Sequence, residues 1–443
     1  MDIKRFNIDP TEENILETLR DNKMGRNDTL KNFLELLDKA SDMSVFALNA
    51  DWGEGKTFFT LQAKMILEYL NPNCAQDVEL ASQLQQLLSL PQTTMPKPLI
   101  SKKLIPIYYN AWLYDDHKDP LLSFLYFLSI TFQRKYTKVS ESALKRFSQI
   151  VNLVSSWKLK FNYNSEEFVE AFLGRDAAKE IVLLEDVKLL MDEAFCDILE
   201  DNEGVVVFVD ELDRCNPRYA VDFLEMIKHF FCCANVQFVF STNIKQLSET
   251  VRNVYGAGFD GTRYLNKFFD LIVELPPVEL KRIVAQNAVL SSKYHIGSFS
   301  RNVLKTMNFS IREANDFLGR VNIIATKCQS IISGNWNPSV ETFAYTCYPI
   351  ILLALSLADR SKYDAFINGF GEDILFELLH PWNQWKDVAQ RTLYTGSLTS
   401  DMTTDELMAL VKENYHLIWS ANATDDFSAE IRHSILEVAS LLG

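Results

Sequence analysis

The sequence predicts an α/β fold with a largely parallel central sheet, a helical insertion and a helical C-terminal domain. Three observations carry this expectation. Apolar runs stand at residues 44–49, 204–209 and 236–241, helical periodicity fills the segments before and between them, and a glycine-bearing polar loop follows the first run directly. A run without alternation suits a strand covered on both faces, and strands alternating with helices favour parallel pairing.

Taken in order, residues 12–40 place Leu30, Phe33, Leu34 and Leu37 at helical spacing, with Asn27 or Asp28 as an N-cap. Ser44 to Asn49 is the first strand, and a helix over Phe58 to Tyr69 follows the loop. The polar, Gln/Pro-rich stretch from Asn71 to Lys103 reads as a loop with one short helix. Leu104 to Asn110 is a second strand, and Pro106, which lacks a ladder donor, assigns it to an edge or a strand start. Ile181, Leu184, Val187, Met191, Phe195 and Ile198 form one buried helix face before the strand Gly204 to Val209. Phe223, Met226, Ile227 and Phe230 mark the helix leading to the strand Val236 to Ser241, and Leu271 to Leu275 is a short strand halted by Pro276 and Pro277. The expected domains are 1–114, an N-terminal helix and the first part of the core; 115–203, the helical insertion; 204–330, the second part of the core; and 331–443, the helical C-terminal domain, with Asn335 and Pro338 near the last boundary.

A chain of 443 residues is long enough for two or three domains, and 47% hydrophobic residues argue against wholesale disorder. The net charge of −15 disfavours broad coating of nucleic acid, which relies on Lys and Arg displacing counterions. Seven cysteines without a C-x-x-C pair read as small core residues in a reducing compartment. The N-terminus lacks the apolar segment of a secretory signal, and the longest apolar stretches, Pro120 to Phe132 and Tyr348 to Ala358, fall short of the ~20 residues of a bilayer span. A soluble cytoplasmic protein with no membrane role is therefore expected.

Chemistry concentrates in two places. Ala50-Asp51-Trp52-Gly53-Glu54-Gly55-Lys56-Thr57 has the spacing of a phosphate-binding loop, with Ala50 in place of the first glycine. Such a loop needs small residues so that backbone N–H groups converge on phosphate oxygens, a lysine reaching the β- and γ-phosphates, and a hydroxyl for magnesium. Gly53, Gly55, Lys56 and Thr57 meet those needs, and the following helix, with Phe58 in its first turn, turns its positive end to the anion. The plain alternative is a glycine-rich turn with an exposed lysine. The second place is Val205 to Val209 followed by Asp210-Glu211-Leu212-Asp213-Arg214. A carboxylate at a strand tip can hold a magnesium shell, which Asp210 would share with Thr57, and Glu211 can orient or deprotonate water. Here the alternative is a solvated strand end. The long separation of Lys56 from Asp210 signals an insertion between them.

Further pieces stand in order around these two: Trp52 within the loop, Asn110-Ala111-Trp112 after the second strand, Cys215 closing the acidic segment, Tyr264-Leu265-Asn266-Lys267, and Leu275-Pro276-Pro277. Together they resemble the KAP P-loop NTPases over residues 20 to 325 or so. The resemblance implies a P-loop NTPase core of the additional-strand class, ATPase activity with ATP and Mg2+, and an enrichment in bacterial mobile elements and phage-exclusion or defence loci. Members often carry transmembrane helices between the phosphate loop and the magnesium strand, where this chain has a helical insertion of soluble character.

Several weaker candidates complete the site. Asn243 is a candidate sensor of the γ-phosphate or attacking water, or else a turn cap. Arg312 resembles an arginine that reaches back to the nucleotide from a later helix; a surface arginine is the alternative. Arg214 and Arg263 are candidates for an arginine acting in trans, although Arg214 could instead pair with Asp213. Trp52 is expected to pack under the loop, and Met24-Gly25-Arg26-Asn27 either touches adenine, as the resemblance implies, or caps a helix. The catalytic set is thus Glu211, Lys56 and Asn243, and the nucleotide set is residues 50–58 with Arg312.

The expected function is magnesium-dependent ATP binding and hydrolysis driving a conformational or assembly switch, with a homo-oligomer, an effector protein, or both as partners. A slow or non-hydrolysing nucleotide-gated scaffold that recruits an effector is the alternative. A nucleic-acid motor is a third, disfavoured option; it needs a basic channel, for which Arg134, Lys135, Lys138, Lys145, Arg146, Lys158 and Lys160 are the only cluster, and a solvated helix face explains them as well.

Overall fold

Apolar strand runs and capped helices assemble, in the computed structural model, into two compact units, Pro10–Pro277 and one formed chiefly by Val278–Gly443. The structure describes residues 9–40, 43–74, 77–89, 95–116, 119–135, 141–160, 177–199, 202–231, 235–278, 295–334, 340–394, 402–419 and 426–440.

The first unit is built on five strands, β1 (Val45–Asn49), β2 (Leu104–Asn110), β3 (Gly204–Asp210), β4 (Val236–Thr242) and β5 (Leu271–Glu274), in the order β2-β3-β4-β1-β5. All four pairings are parallel. Every residue of β3 and β4 is buried, which explains the unbroken apolar run of Val205 to Val209 in β3 and the dominance of apolar residues in β4, where Gln237 is the polar interruption and donates to the Leu37 and Ala40 carbonyls. The edge position of β2 is a place where a strand accommodates a residue such as Pro106, which has no N–H to donate. Because β4 lies between β1 and β3, the tips of three strands, Asn49, Asp210 and Thr242, end side by side.

Around the sheet run α1 (Glu12–Arg20), α2 (Asn27–Lys39), α3 (Lys56–Leu70), α4 (Val78–Ser89), α5 (Pro120–Lys135), α6 (Glu141–Lys160), α7 (Ala177–Ile198), α8 (Pro217–Phe230), α9 (Ile244–Tyr255) and α10 (Gly261–Phe268). Local chemistry sets their starts: Asn216 caps α8 ahead of Pro217, and Asp260 caps α10. The inserted helices α5 to α7 share the sheet's core through Phe124, Phe132, Phe147 and Phe195. Lys138 and the side chains of Arg134, Lys135, Lys158 and Lys160 lie outside the described residues. Arg146 is engaged by Glu193 and by Asp197, 2.8 Å away, so this part of the basic cluster is already neutralised. Cys74, Cys215, Cys328 and Cys347 are buried as core residues, Cys196 is exposed, and Cys232 and Cys233 lie outside the described residues.

The second unit is helical among its described residues: α11 (His295–Thr306), α12 (Ile311–Gly334), α13 (Val340–Ala358), α14 (Arg360–Ile367), α15 (Glu372–Leu379), α16 (Trp385–Leu393), α17 (Thr404–Trp419) and α18 (Asp426–Ser440). Phe299 and Val303 of α11 and Phe317 and Val321 of α12 join Phe343 and Leu352 of α13 in one core. The two compact units divide at Pro277/Val278, and α11 and α12 bury their apolar faces with the later helices. Helix α13 is long and apolar enough to cross a bilayer by length and composition, and most of it is buried in this core.

Candidate functional site

The loop after β1 turns at Gly53 (φ +81°) and Gly55 (φ +74°), left-handed conformations in which a Cβ is strained. Gly55 precedes α3 and offers no side-chain cap. The first N–H groups of α3 are left to an anion. Lys56 is 8% exposed and its Nζ donates to the carbonyls of Ala50 (2.8 Å) and Asp51 (3.1 Å). Burial draws its ammonium below the usual lysine range, while the charges of Asp213 and Asp210 work against that shift. Phe58 is buried in the core.

Thr57 Oγ1 donates to Asp210 Oδ2 at 2.7 Å, joining the loop to the tip of β3. Tyr108 of β2 donates to the same oxygen at 2.9 Å. Asp210 is 2% exposed, and burial pushes its carboxyl above the ordinary range against the pull of these hydroxyls. A desolvated carboxylate beside a threonine hydroxyl is a hard-oxygen pair of the kind magnesium takes.

Glu211 follows in a left-handed backbone conformation (φ +60°). Its Oε1 pairs with Arg214 Nη1 at 3.0 Å and its Oε2 accepts from Asn110 Nδ2 at 3.2 Å. Arg214 also lies over the Trp112 ring, 5.7 Å from its centroid. The partner of Arg214 is thus Glu211, and Asp213 is committed elsewhere: its Oδ2 accepts from Trp52 Nε1 and from the backbone N–H of Asn243, both at 2.8 Å. Trp52 does not pack under the loop; 47% of it is exposed, and the indole N–H is what fixes it.

Asn243 is a helix cap and also touches the phosphate loop. Its Oδ1 caps α9 through the N–H of Gln246 (3.2 Å), while its Nδ2 donates to Asp51 Oδ1 (3.0 Å) in the loop. Glu54 meets Arg26, whose Nη1 donates to the Glu54 carbonyl (2.5 Å) and whose Nε donates to the Pro276 carbonyl (2.7 Å). Arg26 is 3% exposed, with its guanidinium brought down to about 10 by burial. In the sequence Arg26 stood out only as part of a segment thought to cap a helix or touch adenine; its contacts, and that of Tyr108, span too many residues for local spacing to reveal. Arg263 is exposed on α10, where its backbone N–H donates to Asp260. Arg312 is exposed on α12, in the second unit.

The profile of the KAP family P-loop domain matches residues 26–315, a span that holds all the converging groups. No curated protein matches the chain. A solved structure titled "Structure of C. elegans PCH-2" is 9% identical over 91% of this chain and 69% of that one, with a TM-score of 0.20, too low to carry an argument.

Proposed function

The chain belongs to the KAP family of P-loop domains, and on that premise we propose magnesium-dependent ATP binding and hydrolysis at residues 50–58, coupled to a conformational or assembly switch. The observation that carries this reading is the 2.7 Å bond from Thr57 to Asp210, two residues distant in sequence that share a magnesium-type donor pair beside an uncapped helix start. The loop N–H groups and the start of α3 bind the triphosphate oxygens. Lys56 leaves the carbonyls of Ala50 and Asp51 to neutralise phosphate. Thr57 and Asp210 would hold magnesium, which when bound offsets charge on the phosphate oxygens. Glu211 orients the attacking water and accepts its proton, Asn243 reports the γ-phosphate through Asp51, and exposed Arg263 is the better placed arginine to act on a second copy, since Arg214 is held by Glu211.

A second reading is supported by the two partners of Glu211. With one oxygen on Arg214 and the other on Asn110, the carboxylate is held by its neighbours, as a nucleotide-gated scaffold with slow or no turnover requires. Hydrolysis measured with magnesium over a range of protein concentrations separates the two. A switch enzyme turns over, faster per chain as concentration rises where a second copy completes the site; it loses binding in Lys56→Ala, and keeps binding while losing about 10²-fold or more of its rate in Glu211→Gln. Tight binding without turnover in the wild type selects the scaffold, and equal ATP affinity in wild type and Lys56→Ala overturns the site. A setting in bacterial anti-phage defence or a mobile-element locus rests on the family resemblance alone.

A further inference from the structure

Asp213 does chemical work that the proposed mechanism leaves unused. Its carboxylate lies in the 3-10 turn Leu212–Arg214, directly after Glu211. A single oxygen, Oδ2, accepts from the Trp52 indole of the phosphate loop and from the Asn243 N–H at the end of β4. Asn243 in turn reaches back to Asp51 of the loop, so loop, β4 tip and acidic turn close a ring of hydrogen bonds. Asp213 is also the leading negative charge acting on Lys56. Trp52 is 47% exposed, so burial does little to hold it, and a charge-assisted bond to a carboxylate is the stronger restraint.

We propose that Asp213 is a positioning residue that sets the shape of the phosphate loop through Trp52 and Asn243. The inference rests on the nucleotide-binding reading of residues 50–58. The same short turn carries Arg214, the partner of Glu211, so a shift of the turn moves the loop's anchor and the base's anchor together. Loop shape governs how many N–H groups point at phosphate before it arrives, and loss of that preorganisation weakens affinity more than it slows the chemical step.

The test is calorimetric titration of the full chain with magnesium and a non-hydrolysable ATP analogue, for wild type, Trp52→Phe, Asp213→Ala and the double variant. Trp52→Phe keeps an aromatic side chain while deleting the indole N–H together with part of the ring surface. It is expected to weaken binding about 5-fold, and Asp213→Ala about 25-fold, as loss of one and of two such bonds implies. The double variant is expected to bind as Asp213→Ala does, since the two share one bond. In steady-state hydrolysis the Asp213→Ala loss falls on KM, in contrast to Glu211→Gln, where it falls on kcat. Multiplying penalties in the double variant, or Asp213→Ala losing kcat with KM intact, overturns the role of Asp213 while leaving the site standing. A wild-type chain that binds no nucleotide overturns the site and this inference with it.

Discussion

In the unit of residues 10–277 the buried polar groups include five charged side chains, Lys23, Arg26, Asp38, Lys56 and Asp210, whereas in the unit from 278 onward the described ones are Ser300, Thr346, Asn414 and Ser428, all neutral. Desolvating a charge is costly, and a fold retains it where hydrogen bonds or function compensate. Two of the five have ordinary structural partners: Lys23 pairs with Glu17 at 2.9 Å, and Asp38 accepts from the N–H groups of Ser101 and Lys102. The other three converge on the phosphate loop. In the helical unit, Tyr348 donates to Asn414 at 2.5 Å, and Tyr415 donates to the Phe366 carbonyl while accepting from the N–H of Gly371. Those bonds fill a core, and among the described residues of this unit no buried side chain is charged. The contrast teaches that one unit spends stability on a site and the other accumulates it.

Three substitutions sharpen or break that contrast. The largest effect is expected from Arg26→Ala, which strips the Glu54 and Pro276 carbonyls of their donor and costs about 2–3 kcal/mol, with nucleotide affinity falling alongside. Chemical denaturation and titration of the same variant check both. Next is Gly371→Ala, where a Cβ would lie 2.6 Å from the Phe366 ring and 2.9 Å from the Tyr415 hydroxyl. About 1–3 kcal/mol of destabilisation is expected in thermal melts with nucleotide affinity unchanged, and a parallel loss of affinity would break the contrast. The smallest effect has the opposite sign. Because the folded pKa of Asp210 is raised above its ordinary 3.8, its contribution to stability is complete below that value and is lost as pH rises through the raised one. Asp210→Asn has no such loss, so without nucleotide it should melt higher than wild type at neutral pH and lose this advantage on acidification, while magnesium no longer strengthens its nucleotide binding. A variant that melts lower at neutral pH would show that the charge is compensated even in the empty site.

The strands and the two chemical segments were readable in the sequence because their signals are local: unbroken apolar runs, glycines at turn spacing, an acidic pair at a run's end. The partnerships were not. Trp52 meets Asp213, and Arg26 meets Pro276, only because the sheet order brings distant segments together. An aromatic in a glycine-rich loop suggested packing beneath it, yet a nearby carboxylate acceptor holds the ring outward. The division at Pro277 is non-local in the same way: polar and proline residues mark a break between helices, and only shared burial shows which helices pack together.

The backbone of Glu211 has a consequence on the scale of descent. A left-handed conformation costs a side-chain-bearing residue about 1 kcal/mol and costs glycine almost nothing. Glutamate and glycine codons differ by a single base transition, so one replicative error relaxes the turn and deletes the acid at once. The same step strips Arg214 and Asn110 of their carboxylate partner, so relief of the turn is set against two lost contacts, and under the proposed function the resulting copy would bind nucleotide without turning it over.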